Sequence, residues 1–186
     1  MSDTRLTYLL VPYLRKISPA LLLVAGISAA YVYFMRWVDH DQPWVPYLVV
    51  VLAIVKTVYF SLFTFRQVNK FIGQCRSFSQ LLSVFGVLVV LIIFSFAADY
   101  TCLNAADPQA FHGLDKSAGA GYLQNLFELF YFSVVTFASI GYGDIAPIST
   151  PAKIVSMTEI GQSFVMVIFG LSNINKIHIK SKKQNT

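Results

Sequence analysis

The residues of this chain best suited to chemistry lie in one run, Thr136–Asp144. It reads Thr-Phe-Ala-Ser-Ile-Gly-Tyr-Gly-Asp, so two glycines flank a tyrosine and an acid closes the run. Glycine adopts positive φ at no steric cost, and a Gly-X-Gly run therefore lets the backbone alternate between conformations that side chains disfavour. Successive carbonyl groups of such a ribbon can point the same way. A row of converging carbonyl oxygens can replace the water shell of a monovalent cation.

The sequence around these glycines carries a specific resemblance. Ser-Ile-Gly-Tyr-Gly-Asp, at 139–144, resembles the Thr-Val-Gly-Tyr-Gly-Asp selectivity filter of potassium channels, and residues 131–136 resemble the end of that family's pore helix. With Pro147 after the filter, the likeness covers roughly residues 77–175. It implies a four-span, single-pore, bacterial-like channel. The implied fold is an all-α membrane protein with a re-entrant pore helix and filter between the third and fourth transmembrane helices.

The resemblance also implies which atoms bind the ion. By position, these are the main-chain carbonyl oxygens and one hydroxyl of the ribbon: Ser139 (carbonyl and hydroxyl), Ile140, Gly141 and Tyr142, with Gly143 completing the ribbon. One chain supplies one filter strand, so the resemblance implies a homotetramer with fourfold symmetry about the pore. Potassium is then the permeant ion, and no cofactor is expected.

Other residues are expected to support the filter. Asp144 lies just outside it, and Tyr131 stands where many relatives have a tryptophan, so the Tyr131 hydroxyl is a candidate to hold the Asp144 carboxylate. Val135 stands where some relatives carry a partner glutamate, so that carboxyl pair is missing, and Thr136 ends the pore helix. The alternative is that Asp144 is a solvated charge at the pore mouth, where four such acids would concentrate cations.

The inner part of the pore is assigned by offset from the filter acid. Phe164, Val167 and Leu171 fall where the family has cavity-lining residues. The alternative is that these side chains face neighbouring helices. The position of the family's frequent hinge glycine is Ser163 here, so the sequence does not locate a gate.

Two positions depart from the family pattern in a way that bears on selectivity. Ala138 and Ser139 stand where the family usually has two threonines. Serine keeps the hydroxyl but loses the methyl group that fixes a threonine rotamer. We therefore expect an innermost ion site with looser geometry, and selectivity softer than in the family at large.

Three charged residues fall within apolar segments: Lys56, Glu128 and Glu159. Charges within a membrane are costly and usually paired or functional. One hypothesis is a Lys56–Glu159 ion pair. The alternative is that Lys56 extends to the membrane surface while Glu159 bonds to the pore helix, for example at Ser133. Glu128 lies near the start of the pore helix, where the helix dipole favours an acid. A single lysine in the second span predicts no arginine-rich voltage sensor.

Composition and segment lengths place these residues in a membrane. The chain has 186 residues, of which 56% are hydrophobic and 12% charged, as in a polytopic membrane protein. Apolar segments long enough to span are predicted at 17–35, 45–65, 78–98 and 152–174. Residues 122–138 are too few to cross, which predicts a re-entrant segment, and the polar residues 99–121 predict an outer loop.

Charge placement predicts the topology. Ten of the fourteen Lys and Arg residues lie at the amino end, between the second and third spans, and in the tail. The positive-inside rule puts both termini in the cytoplasm of a multi-pass protein of the cell (plasma or inner) membrane. The predicted parts are a peripheral region with two helices at 1–76, a pore domain at 77–175 and a basic cytoplasmic tail at 176–186. The tail either binds anionic lipids or only fixes orientation.

The function predicted first is a passive, potassium-selective channel. The alternatives are a weakly selective monovalent cation channel and a non-conducting partner subunit. No cleavable signal peptide is evident, and no nucleic-acid partner is expected. Three scattered histidines, with no nucleophile–base pair and no metal-ligand spacing, argue against an enzyme.

Overall fold

A computed structural model describes residues 44–72, 78–114 and 122–184, together with Gly26. Its helices and strands, in chain order, are α1 (Val45–Ile72), α2 (Phe78–Ala106), β1 (Phe111–His112), α3 (Tyr122–Phe137), β2 (Ala146–Pro147) and α4 (Thr150–Gln184). The predicted first span at 17–35 lies outside the described residues, apart from Gly26. The mostly helical architecture expected from the sequence is confirmed for the part of the chain that is described.

Three helices of the described part are long and apolar enough to cross a membrane. The candidate spans are Val45–Arg66 in α1, Phe85–Ala106 in α2 and Thr150–Gly170 in α4. The helix α3 has only 16 residues. A spanning helix needs about 20, so α3 is too short to cross.

The helix α2 ends later than the sequence predicted. The prediction ended the third span at Ala98 and began the outer loop at Asp99, which is wrong, because α2 continues to Ala106. Pro108 cannot continue a helix, and the Asp107 carboxylate accepts a hydrogen bond from the Gln109 N–H at 3.0 Å. Asp107 and Pro108 therefore end the helix, whereas the sequence analysis expected it to end before Asp99.

Asp99 stays inside α2 because its charge is neutralised there. The Lys56 ammonium of α1 donates to both Asp99 carboxylate oxygens, at 2.6 and 2.7 Å, and to the Ser95 carbonyl at 3.1 Å. Lys56 is 5% exposed and Asp99 is fully buried. The predicted Lys56–Glu159 ion pair is therefore wrong, and the partner of Lys56 is the acid that was read as the start of a loop.

An aromatic cluster joins α2, β1 and α3. The centroid of the Tyr100 ring lies 5.0 Å from that of Phe132 and 5.6 Å from that of Phe111. The Phe111 and Phe132 centroids are 5.5 Å apart, and all three pairs meet edge to face. Edge-to-face pairs at such distances add to the stability from apolar burial. The cluster fixes α3 beside the carboxyl-terminal part of α2.

The start of α4 carries ordinary helix-start signals. The Ser149 hydroxyl accepts a hydrogen bond from the Ala152 N–H at 3.3 Å, as an N-cap does. Pro151 occupies the first turn, where its missing N–H leaves no bond unmade. The cap sets where the chain turns from the loop after α3 into α4.

The Lys56–Asp99 pair gives a prediction about stability. Asp99→Leu leaves an unpaired buried ammonium and should lower the free energy of unfolding by about 3–5 kcal/mol. The double variant Lys56→Met/Asp99→Leu should recover most of that loss, because it leaves no buried charge. Reversible unfolding in detergent micelles, followed by tryptophan fluorescence, measures both.

The matched control is Lys153→Met, which removes an exposed lysine at the start of α4. Surface changes of this kind shift stability by within about 0.5 kcal/mol. The account is contradicted if Asp99→Leu is no less stable than this control.

Candidate functional site

The Gly-Tyr-Gly ribbon leaves the carboxyl end of α3 directly. The last turn is closed by hydrogen bonds from the Ala138 N–H to the Val134 carbonyl (3.0 Å) and from the Ile140 N–H to the Val135 carbonyl (3.0 Å). Beyond Ile140 the chain runs without helical hydrogen bonds until α4 begins at Thr150. The partial negative charge of the α3 carboxyl end therefore lies beside the first ribbon residues.

The ribbon alternates in backbone conformation. Every second residue has positive φ: Ser139 at 55°, Gly141 at 61° and Gly143 at 82°. The glycines adopt it freely, whereas a non-glycine residue in this region is uncommon. The alternation is the one that the Gly-X-Gly spacing predicts.

The carbonyl oxygens of residues 139–143 have no donor within the described part of the chain: none of the hydrogen bonds found there is accepted by them. Space beside Gly141 and Gly143 is open, since a Cβ added at either would meet nothing within 4 Å. The side chains of Ile140 and Tyr142 are 54% and 68% exposed. The arrangement is a row of uncommitted oxygens flanked by unpacked side chains.

Asp144, at the end of the ribbon, is anchored through both carboxylate oxygens. The Tyr131 hydroxyl donates to Oδ2 at 2.7 Å, and the Ile145 N–H donates to Oδ1 at 3.0 Å. The bond from Tyr131 is the main cause of a lowered pKa for Asp144, aided by the Ile145 N–H and opposed by partial desolvation. The same bond raises the pKa of the Tyr131 hydroxyl. Asp144 is thus an exposed, ionised acid held in a fixed position, and the structure contains the Tyr131 bond suggested by the sequence.

A short antiparallel ladder supports the ribbon exit. Phe111 pairs with Pro147 and His112 with Ala146. Gly113 then takes φ +85°, and a Cβ there would lie 1.8 Å from the Asp144 carbonyl oxygen. Only glycine permits this approach. The sequence analysis missed the ladder; glycine at 113, within an expected loop, was the one available signal.

A second contact fixes α3 from behind. Glu159 of α4 is fully buried, and its two carboxyl oxygens lie 2.5 Å from the Ser133 hydroxyl of α3 and 2.5 Å from the Tyr100 hydroxyl of α2. The Ser133 contact agrees with the alternative raised from the sequence. Tyr100 was missed, because a tyrosine at the end of an apolar run gives no signal of its partner.

The structure gives positions for most of the remaining predicted site residues, but it does not bring them into one cluster. Thr136 is buried at the end of α3, and Glu128 is half-buried in its second turn. On α4, Phe164 is 58% exposed and Val167 is 54% exposed. Such exposure in one chain fits both a cavity wall and a contact with neighbouring helices. The side chain of Leu171 lies outside the description.

Comparison with known proteins identifies the region that contains the ribbon. Residues 109–180 match the sequence model of the ion channel family. "Potassium channel K2" of Plasmodium falciparum (isolate 3D7) is 33% identical over 96 residues, which are 52% of this chain and 6% of that protein. "Two-pore potassium channel 4" of Arabidopsis thaliana is 36% identical over 67 residues, 36% of this chain and 23% of that protein. "Two pore potassium channel c" of Oryza sativa subsp. japonica is 34% identical over 86 residues, 46% of this chain and 18% of that protein.

The region that contains the ribbon is therefore similar in sequence to ion channels, and the three relatives named above are potassium channels by name. No solved structure matches it. The chain spans less than a quarter of the length of each of these three relatives. The family match covers β1, α3, the ribbon, β2 and α4 as far as residue 180, so the ribbon, Asp144 and Glu159 lie within it, whereas Tyr100 lies before it. The similarity to ion channels thus occurs in a chain whose described part has three helices long and apolar enough to cross a membrane.

The Tyr131–Asp144 contact gives a prediction about charge at the ribbon exit. Tyr131→Phe removes the hydroxyl that favours the ionised carboxylate, so the pKa of Asp144 should rise toward that of a free aspartate. In the parent protein Asp144 should keep its charge to a lower pH than in the variant. The carbon-13 shift of the Asp144 carboxyl, titrated by NMR in solubilised protein, measures this.

Tyr47→Phe is the matched control, because Tyr47 is 56% exposed on α1 and far along the chain from Asp144. It should leave the titration unchanged. An unaltered Asp144 midpoint in Tyr131→Phe would show that the hydrogen bond does not tune the carboxylate.

Proposed function

We propose that this protein is a potassium channel, which conducts K⁺ passively and selectively through a pore made by four copies of the chain. The observation that carries the proposal is the ribbon itself: positive φ at every second residue from Ser139 to Gly143, with carbonyl oxygens that accept no hydrogen bond within the described chain. In potassium channels, rings of such carbonyl oxygens replace the ion's hydration shell.

The need for several copies follows from how little of the ion one ribbon could surround. A single strand offers oxygens from one side only, and irregular backbone is tolerated at membrane depth only where protein buries it or water meets it. The exposed side chains of Ile140, Tyr142 and Phe164 would be covered by neighbouring copies. A closed fourfold ring meets both requirements, and we propose a homotetramer on that ground.

Two fixed charges favour a cation along this path. The carboxyl end of α3 supplies a partial negative charge at the inner end of the ribbon. Asp144 supplies a full one at the outer end, where four copies would raise the local cation concentration. Together they support Ser139, Ile140, Gly141 and Tyr142 as the proposed ion-binding residues.

The peripheral helices are assigned a supporting role in this proposal. Lys56, the lysine within the apolar part of α1, forms an ion pair with Asp99 and does not belong to a row of basic residues. A helix-borne voltage sensor needs several such residues. We therefore propose a channel without an arginine-rich voltage sensor, with residues 77–175 as its pore domain.

The basic carboxyl end is proposed to lie in the cytoplasm. The helix α4 continues past the candidate span, from Gly170 to Gln184, and carries four lysines there. Basic residues beside a membrane helix attract anionic lipid headgroups. This supports a carboxyl terminus that faces the cytoplasm of a cell membrane, with lipid as the partner of the tail. We propose the same side for the amino terminus, because Arg5, Arg15 and Lys16 make that end basic as well.

A weakly selective cation channel is the second candidate, favoured by one observation. Ser139 lacks the methyl group that fixes a threonine rotamer. Its absence would loosen the geometry of the innermost ion site. The ratio of K⁺ to Na⁺ permeability separates the two candidates.

Flux into liposomes tests the proposal. Liposomes that contain the purified protein should take up rubidium, which replaces potassium in the assay, much faster than sodium. Gly141→Ala should lower rubidium flux by at least roughly tenfold, because alanine pays about 1–2 kcal/mol in the left-handed region and does so in every copy. Gly86→Ala is the control, since a Cβ at Gly86 in α2 meets nothing within 4 Å.

Native mass spectrometry of the same sample tests the assembly. Four copies and rubidium-selective flux support the proposal, and equal rubidium and sodium flux replaces it with the weakly selective candidate. A tetramer without flux would leave a non-conducting subunit as the better account. An assembly with no fourfold symmetry removes the proposed pore.

A further inference from the structure

The carboxyl group of Glu159 sits where three helices meet. It extends from α4, is fully buried, and contacts Tyr100 of α2 and Ser133 of α3, each at 2.5 Å. The Ser133 hydroxyl also lies 3.0 Å from the Ile93 carbonyl oxygen of α2. The four groups form one continuous chain of hydrogen-bonding oxygens.

Counting protons along this chain restricts its chemistry. Three contacts each need one proton, namely Tyr100 to Glu159, Glu159 to Ser133, and Ser133 to Ile93. The two hydroxyl groups supply one proton each, and a main-chain carbonyl supplies none. A carboxylate would leave one contact between two oxygens without a proton. A carboxylic acid at Glu159 supplies the third, so that every contact is a hydrogen bond.

The surrounding charges agree with the count. The titratable groups that face Glu159 from α2 are Tyr100 and Asp99, and the nearest cation, Lys56 of α1, is bound to Asp99. Within the described residues, no ammonium or guanidinium group contacts Glu159. An unpaired carboxylate buried in this way is strongly disfavoured, whereas a neutral acid with two hydrogen bonds is not.

We propose that Glu159 is a positioning residue for the filter and acts as a neutral carboxylic acid. It accepts a hydrogen bond from Tyr100 and donates one to Ser133, which passes the chain on to Ile93. Ser133 lies one turn before the end of α3, and α3 leads directly into the Ser139–Gly143 ribbon. Glu159 thereby sets the position of the ribbon without touching the ion. This inference builds on the proposed function.

The test compares two substitutions of the same residue. Glu159→Gln keeps one donor for Ser133 and one acceptor for Tyr100, as the neutral acid does, and should keep the rubidium-to-sodium flux ratio within about twofold. Glu159→Leu keeps the volume but neither hydrogen bond, and should lower that ratio by roughly tenfold. Native mass spectrometry confirms that both variants assemble. Adding Ser133→Ala to Glu159→Leu should cause little further loss of the flux ratio, because the Ser133–Glu159 bond is already gone and only the bond from Ser133 to Ile93, within the same pair of helices, remains to be removed.

Two measurements do not depend on conduction. Hydrogen–deuterium exchange should be faster in α3 of Glu159→Leu than in the parent or in Glu159→Gln. Infrared spectra should contain the carbonyl stretch of a protonated carboxyl group that Glu159→Gln removes. These readouts stand even if the protein proves not to conduct, so failure of this inference is distinguishable from failure of the proposed function.

Equal loss in both variants would mean that a charge at Glu159 matters and would overturn the neutral-acid assignment. Unchanged flux ratio and unchanged α3 exchange in Glu159→Leu would overturn the positioning role. If the infrared difference between the parent and Glu159→Gln contains no protonated-carboxyl band, the assignment of Glu159 as a neutral acid is overturned by that result alone.

Discussion

Main-chain carbonyl groups without internal donors are the constraint on which this structure depends. In a membrane such groups are tolerated only where protein encloses them or where water or an ion meets them. The ribbon from Ser139 to Gly143 presents a row of them, and contacts at the two ends of the ribbon restrict how that row can move. The ladder between β1 and β2 closes over its exit, and the close approach of Gly113 to the Asp144 carbonyl leaves little room there.

The helix α2 is the element through which the other helices are joined. Its adjacent residues Asp99 and Tyr100 project about 100° apart and reach different neighbours, Lys56 of α1 and Glu159 of α4. Apolar packing alone does not hold helices in one register within lipid, because lipid is as apolar as the side chains. Polar contacts at two consecutive positions supply directional bonds instead. They link four helices at one level, close to the aromatic cluster that places α3.

Sequence reasoning succeeded where the signal was local. The Gly-X-Gly spacing predicted the alternating backbone, the short apolar run predicted the extent of α3 to within a residue, and α1 begins at the predicted Val45. It failed where the signal depended on a distant partner. Asp99 reads as a loop residue until Lys56, 43 positions away, is known to neutralise it.

The two errors have one origin. Assigning Asp99 to a loop left Lys56 without an acid among the spans, and Glu159 was the remaining candidate. Glu159 has instead two hydroxyl partners, of which Ser133 was weighed and Tyr100 was not. A hydroxyl partner leaves no mark in hydropathy, and the pairing of β1 with β2 leaves none in periodicity, since each strand has only two residues. These features depend on the three-dimensional fold and could not be predicted from the sequence.

The contacts of α3 explain how one short helix can hold the ribbon in a fixed position. Tyr131 and Ser133 are two residues apart and so point about 200° away from each other around the helix. Tyr131 bonds to the acid at the ribbon's outer end, whereas Ser133 bonds to the carboxyl group behind the helix. A helix held on one face alone could rotate and carry the ribbon carbonyls with it. Bonds on opposite faces resist that rotation and so keep the direction in which the ribbon's carbonyl oxygens point.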